Sequence, residues 1–194
     1  MACDIRDTQQ VENFFSKTIA HYSRLDIAIN NAGVVHEMKR LADCTEAMFD
    51  FNIGVNLKGT FLCMKSALVQ MNAQGYGTIL NIASASGLIA SPFLGLYAAA
   101  KHGVIGLTKT AAAEYARKGV RINALCPAFS ATAILDQVIA DKGDKVAAGI
   151  AANIPAQRLA EPEEVVNAML WLCSDDNSYM NGAAISIDGG LVAS

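Results

Sequence analysis

Short apolar runs rich in β-branched residues recur along this chain, each followed by a stretch long enough for a helix, and that alternation limits the fold more than any other feature. Asp26-Ile-Ala-Ile-Asn30, Gly77 to Ala83, Val120 to Cys126 and Ala184 to Ile187 read as strands. Asp7 or Thr8 caps a helix to about Tyr22, with Val11, Phe14, Phe15 and Ile19 on its buried stripe. Thr45 opens a long helix to about Met71, interrupted near Gly54 and Asn56, and another carries Tyr97 and Lys101 to about Arg117. A loop and a short helix follow Pro127 and reach Pro155. Pro162 fits the first turn of a helix running to about Cys173, with Glu163 and Glu164 at its positive end. Strands joined through helices imply right-handed crossovers, so the expected fold class is α/β, a doubly wound, mostly parallel sheet. Ligands of such sheets bind beyond the carboxyl ends of the strands, where Asn31-Ala32-Gly33, Ser84 and Pro127 fall.

Composition narrows the partners. The 194 residues make one domain, and 53% are hydrophobic. No apolar run approaches the ~18–20 residues that span a bilayer, so the surplus suits a sheet covered on both faces and argues against a membrane. A net charge of −3 without a basic cluster argues against nucleic acid. The given N-terminus is polar and acidic, so a secretory signal is not expected. Five scattered cysteines form no Cys-x-x-Cys, and His21, His36 and His102 make no ligand spacing with them. Buried free thiols in a cytoplasmic protein without metal are the expectation.

The chemistry concentrates in Asn81-Ile-Ala-Ser84 and Tyr97-Ala-Ala-Ala-Lys101. Tyr and Lys four apart share one helix face. A free phenol ionises near pH 10 and is a poor base at neutral pH. An ammonium beside it favours the phenolate, so Lys101 is expected to lower the pKa of Tyr97. A serine hydroxyl at the same place can hydrogen-bond an oxygen on which charge develops. These three groups suit proton transfer to or from an alcohol or carbonyl oxygen.

Taken in order, Asn30-Asn-Ala-Gly33, Val55-Asn56-Leu57, Ser84, Tyr97-x-x-x-Lys101, Pro127-Ala-Phe-Ser-Ala-Thr132, Arg158 with Glu161-Pro-Glu-Glu-Val165, and Asn181-Gly182 with Asp188-Gly-Gly190 resemble the short-chain dehydrogenase/reductase family in its ordinary short branch. The resemblance implies a Rossmann-like domain over residues 1–194 that transfers hydride between NAD or NADP and a secondary alcohol or ketone. It implies Tyr97 as acid/base, Lys101 on the nicotinamide ribose, Ser84 orienting the substrate oxygen, and Asn56 holding a water in a proton relay to Lys101. It implies cofactor contacts at Asp4 and Ile5 (adenine), Asn31, Ala32 and Gly33 (ribose region), and Ser130 and Thr132 (carboxamide), besides Tyr97 and Lys101. Ala128 stands where the family has glycine. His36, Ser86, Phe93, Leu94, Phe129, Ile134 and Leu135 are expected to line a mostly apolar substrate pocket. A homodimer or homotetramer is implied through the two long helices and the last helix and strand.

The family opens with a strand, a glycine-rich turn and a helix that receive the pyrophosphate. Here Met1-Ala-Cys-Asp4 resembles the tail of the third strand, and no glycine-rich phosphate turn occurs. The expectation is an N-terminally truncated copy lacking the first βαβ elements, with Asp26–Asn30 left as an edge. An inactive remnant serving as a subunit or scaffold is the alternative. The compact end at Asp188-Gly-Gly argues against an epimerase or dehydratase of the extended branch.

Overall fold

The computed structural model describes residues 1–130 and 145–193, and the side chains of these except 145–147. Four strands, β1 (Ile27–Asn30), β2 (Gly77–Ile82), β3 (Val120–Pro127) and β4 (Ala184–Ile187), form one sheet in the order β1-β2-β3-β4. Every pairing is parallel, with Asn30 opposite Asn81, Asn81 opposite Ala124, and Ala124 opposite Ala184. Helices α1 (Thr8–Tyr22), α2 (Glu46–Ile53), α3 (Thr60–Gln74), α4 (Gly95–Tyr115), α5 (Lys145–Ala152) and α6 (Pro162–Cys173) connect or flank the strands. The doubly wound parallel architecture expected from the alternation is the one found.

Helix boundaries follow local chemistry. The Asp7 carboxylate accepts from the Gln10 amide and starts α1, and the Thr45 hydroxyl accepts from the Met48 amide and starts α2. A reciprocal capping box between Glu161 and Glu164 starts α6, with Pro162 in its first turn. The interruption expected near Gly54 and Asn56 is a π-helical turn over Gly54–Gly59, joining α2 to α3.

One core lies between the sheet and the α1, α3 and α4 layer. Val11, Phe15, Ala67, Met71, Ile79, Val120 and Ile122 meet there. Leu80, Leu125 and Leu172 pack α6 onto the other face of β2 and β3. Two burial expectations fail. Phe14 is 37% exposed, because the buried stripe of α1 is narrow and holds Val11 and Phe15. Strand β1 is buried on one face alone. Ala28 points to the core, while Ile27 and Ile29, on the opposite face, are about half exposed (46% and 45%) with α6 reaching no farther than β2 and β3. The five cysteines are free; Cys126 is fully buried and the other four half-buried.

Candidate active site

The carboxyl ends of β1, β2 and β3 bring Gly33, Ser84 and Pro127 to one rim of the sheet, facing the first turns of α4. Ser84 lies just past the end of β2 and caps a short 3-10 turn, Ala85–Gly87, its hydroxyl accepting from the Ser86 amide at 3.1 Å. That oxygen also lies 3.5 Å from the Pro127 carbonyl. The serine is therefore fixed from two strands. A methyl group at Gly87 would meet the Lys101 backbone at 2.9 Å. Glycine there lets the serine turn seat directly on α4.

On α4, Lys101 is 4% exposed and its Nζ donates to the Ile82 carbonyl at 2.7 Å. The same nitrogen lies 5.5 Å from the centre of the Tyr97 ring. The expected lowering of the Tyr97 pKa is not what the structure gives. Burial pushes the Tyr97 phenol up from its ordinary value, and the Ser84 side chain, hydrogen-bonded to it, pulls the other way. Lys101 itself, held in the same dry environment, is lowered to about 8, mainly by burial.

Asn56 sits in the π-helical turn, fully buried. Its Oδ1 accepts from the Val34 amide at 2.9 Å, and its Nδ2 donates to the Val34 carbonyl at 2.8 Å and to Asn52 Oδ1 at 3.1 Å. The side chain thereby clamps the loop that follows β1. The extra residue of a π turn aims this amide across the bundle, as such turns do at functional sites. Asn52 was not singled out in the sequence, although its spacing of four from Asn56 was a usable signal.

The residues expected to contact the cofactor divide into three places. Asn31, Ala32 and Gly33 are exposed on the rim. A methyl at Gly33 would lie 3.0 Å from Asn56 Oδ1 and 3.6 Å from Lys101 Nζ, so glycine keeps a cradle open beside the lysine. An exposed ledge, that cradle and a buried ammonium fit the nicotinamide riboside of NAD(P). Ser130 is held by a bridge to Ala160, while Ala128 donates its amide to Ile187 at 3.1 Å. Thr132, Ile134 and Leu135 lie outside the described residues. Asp4 binds Arg6 in a fork at 2.6–3.1 Å, which holds its carboxyl down at about 2. Ile5 packs on Gly59 behind the π turn.

A cavity of about 90 Å³ opens beside Ala128, Phe129, Ile154 and Asp188 at the end of β3. The larger concavity, about 750 Å³, lies at the amino ends of the strands among Arg24, Tyr76, Arg121 and Tyr179, away from these groups.

A parallel α/β sheet that gathers serine, tyrosine and lysine at its carboxyl rim beside an open glycine ledge defines a nucleotide-dependent oxidoreductase. The family model described as enoyl-(acyl carrier protein) reductase matches residues 1–192. A 2,5-dichloro-2,5-cyclohexadiene-1,4-diol dehydrogenase of Sphingobium indicum is 37% identical over 192 residues, covering 98% of this chain and 76% of that protein. The crystal structure of levodione reductase superposes with a TM-score of 0.97 at 35% identity, covering 100% of this chain and 77% of that one. The structure of ElxO with NADP bound gives 0.94 at 37%, covering 98% and 77%. The chain belongs to the short-chain dehydrogenase/reductase family and is an NAD(P)-dependent oxidoreductase. No helix among the described residues is long and apolar enough to cross a membrane.

Proposed function

We propose that the chain interconverts a secondary alcohol and its ketone, with Tyr97 moving the proton, Ser84 holding the reacting oxygen and Lys101 fixing the nicotinamide ribose. When bound, the nicotinamide supplies the hydride in reduction and takes it in oxidation. In reduction, negative charge grows on the carbonyl oxygen as its carbon is attacked. The Ser84 hydroxyl stabilises that charge and the Tyr97 hydroxyl delivers its proton there. In oxidation the phenolate takes the alcohol proton. Asn56 holds the loop carrying Gly33 against Lys101, and the water relay implied for it belongs to the same proposal. Asp4, Ile5, Asn31, Ala32, Gly33, Ser130 and Thr132 complete the proposed cofactor contacts.

The observation that carries this reading is the convergence of two groups on one half-buried phenol: Ser84, just past the end of β2, acts on it, and the Lys101 ammonium lies 5.5 Å from its ring. The relatives point to NAD(P)-linked alcohol chemistry, one being named a diol dehydrogenase and another having NADP bound. The test is reduction of a panel of cyclic and acyclic ketones by the purified chain with NADH and with NADPH. Turnover of at least one ketone is expected, and none with either cofactor refutes the reading.

A homodimer or homotetramer in the cytoplasm belongs to the same proposal. Phe49, Phe61 and Val69 on α2 and α3, and Val166, Leu170 and Trp171 on α6, are 46–69% exposed, which suits helix faces covered by a second copy. Five free thiols suit a reducing compartment. A monomeric mass in solution would count against the assembly.

A further inference from the structure

Among the described residues, proton transfer at Tyr97 makes no use of the pair Ser86 and Ser91. Their hydroxyl oxygens lie 2.7 Å apart in a half-buried hydrogen bond. Either hydroxyl can be the donor, since both rotate freely about their C–O bonds. In both arrangements one O–H is used and the other proton remains free. Among the described residues no other side-chain hydrogen bond engages either hydroxyl.

The pair stands next to the reacting centre. The Ser86 backbone amide donates to Ser84 Oγ at 3.1 Å. Ser86 Oγ is three bonds from that nitrogen, so it lies within roughly 7 Å of the Ser84 hydroxyl. Ser91 is delivered by a prebuilt turn. The Leu94 amide donates to the Ser91 carbonyl at 3.0 Å, and Phe93 adopts φ 68° while its carbonyl accepts from the Lys39 amide at 3.0 Å. A left-handed phenylalanine is uncommon, and the bond from Lys39 holds it there. The turn presents Ser91 to Ser86 before any ligand arrives, the preorganisation that a recognition site requires.

Resting on the reading of Ser84 and Tyr97 given above, we propose that the Ser86–Ser91 pair is a specificity site that donates a hydrogen bond to a second oxygen of the substrate. The preferred substrates are then ketones and secondary alcohols carrying a further hydroxyl, carbonyl or carboxylate a few bonds from the reacting carbon. A ketone without that oxygen leaves the free O–H unpaired in a site emptied of water, which favours the oxygenated substrate by about tenfold or more.

The test compares cyclohexanone with hydroxycyclohexanones bearing the hydroxyl vicinal or opposite to the carbonyl, reduced by the purified chain with its preferred nicotinamide cofactor. Wild type should favour at least one hydroxyketone by about tenfold or more in kcat/KM, mainly through KM. In Ser86→Ala and in Ser91→Ala the ratio should fall towards unity, and Ser86→Thr, which keeps a hydroxyl, should restore part of it. Gly106→Ala, a site where a methyl meets nothing within 4 Å, should keep the wild-type ratio. An equal loss on all ketones in the alanine variants would reduce the pair to a staple of the turn and overturn the proposal, as would a wild type without preference. If wild type turns over no ketone at all, the dehydrogenase reading itself fails and the serine assignment falls with it.

Discussion

Replacing Lys101 by methionine should change the pH dependence of stability more than stability itself. Methionine keeps the length and apolar stem of lysine but not its charge. The ammonium is 4% exposed, and none of the four ion pairs of the described residues includes it. Burial lowers its pKa from the ordinary 10.5 to about 8. At 1.36 kcal/mol per unit this corresponds to an upper bound of about 3 kcal/mol for keeping the charge inside at neutral pH. Because the folded-state pKa lies below the unfolded one, the unfolded chain binds more protons between about 8 and 10.5. The contribution of Lys101 to stability therefore rises with pH across that window and is flat below it. The Lys101→Met substitution would remove the slope. It would also leave the Ile82 carbonyl without its 2.7 Å donor, a loss of about 1–3 kcal/mol that offsets the relief of burying no charge. Near pH 7 the two proteins should thus be similar in stability. From about pH 7 to about pH 10, wild type should gain on Lys101→Met by up to about 3 kcal/mol. Urea unfolding of the cofactor-free proteins at a series of pH values measures the difference. Parallel curves over the window would refute the buried, charge-destabilised lysine.

Other perturbations separate the parts of the site. Asn56→Ala leaves both Val34 backbone groups without their partner and should lower stability by about 2–4 kcal/mol, read from the urea midpoint. Ser84→Ala should lower kcat by about a hundredfold with little change in cofactor affinity, separable by steady-state kinetics and cofactor fluorescence titration. Gly87→Ala, forced against the Lys101 backbone at 2.9 Å, should destabilise by about 1–3 kcal/mol, read from a thermal melt. Gly106→Ala on α4 should be neutral or stabilising by up to about 1 kcal/mol in the same melt.

The parts of this molecule written in local patterns were legible before the structure. β-Branched runs placed all four strands, Asp7 and Thr45 placed two helix starts, and Gly54 with Asn56 marked the π-helical turn. The meeting of Ser84 with Tyr97 and Lys101 followed from strand-end position and helix spacing. What was not legible depends on neighbours distant in sequence. Phe14 and Phe15 are chemically identical, and the packing of α1 on α3 decides which is buried. The direction of the Tyr97 shift could not be read from Tyr-x-x-x-Lys. The motif gives proximity, whereas desolvation sets the sign. Ser91 meets Ser86 through a left-handed Phe93 that no propensity predicts.

The central claim is that the Tyr97 hydroxyl carries the proton while the rest of the site stays intact without it. Single-turnover reduction of a ketone by Tyr97→Phe, with cofactor and substrate saturating, tests it most directly. Phenylalanine keeps the ring over which the lysine sits and removes one oxygen. The account predicts a fall in the rate of about 10²–10⁴-fold with cofactor affinity preserved. A rate within a few-fold of wild type would contradict it.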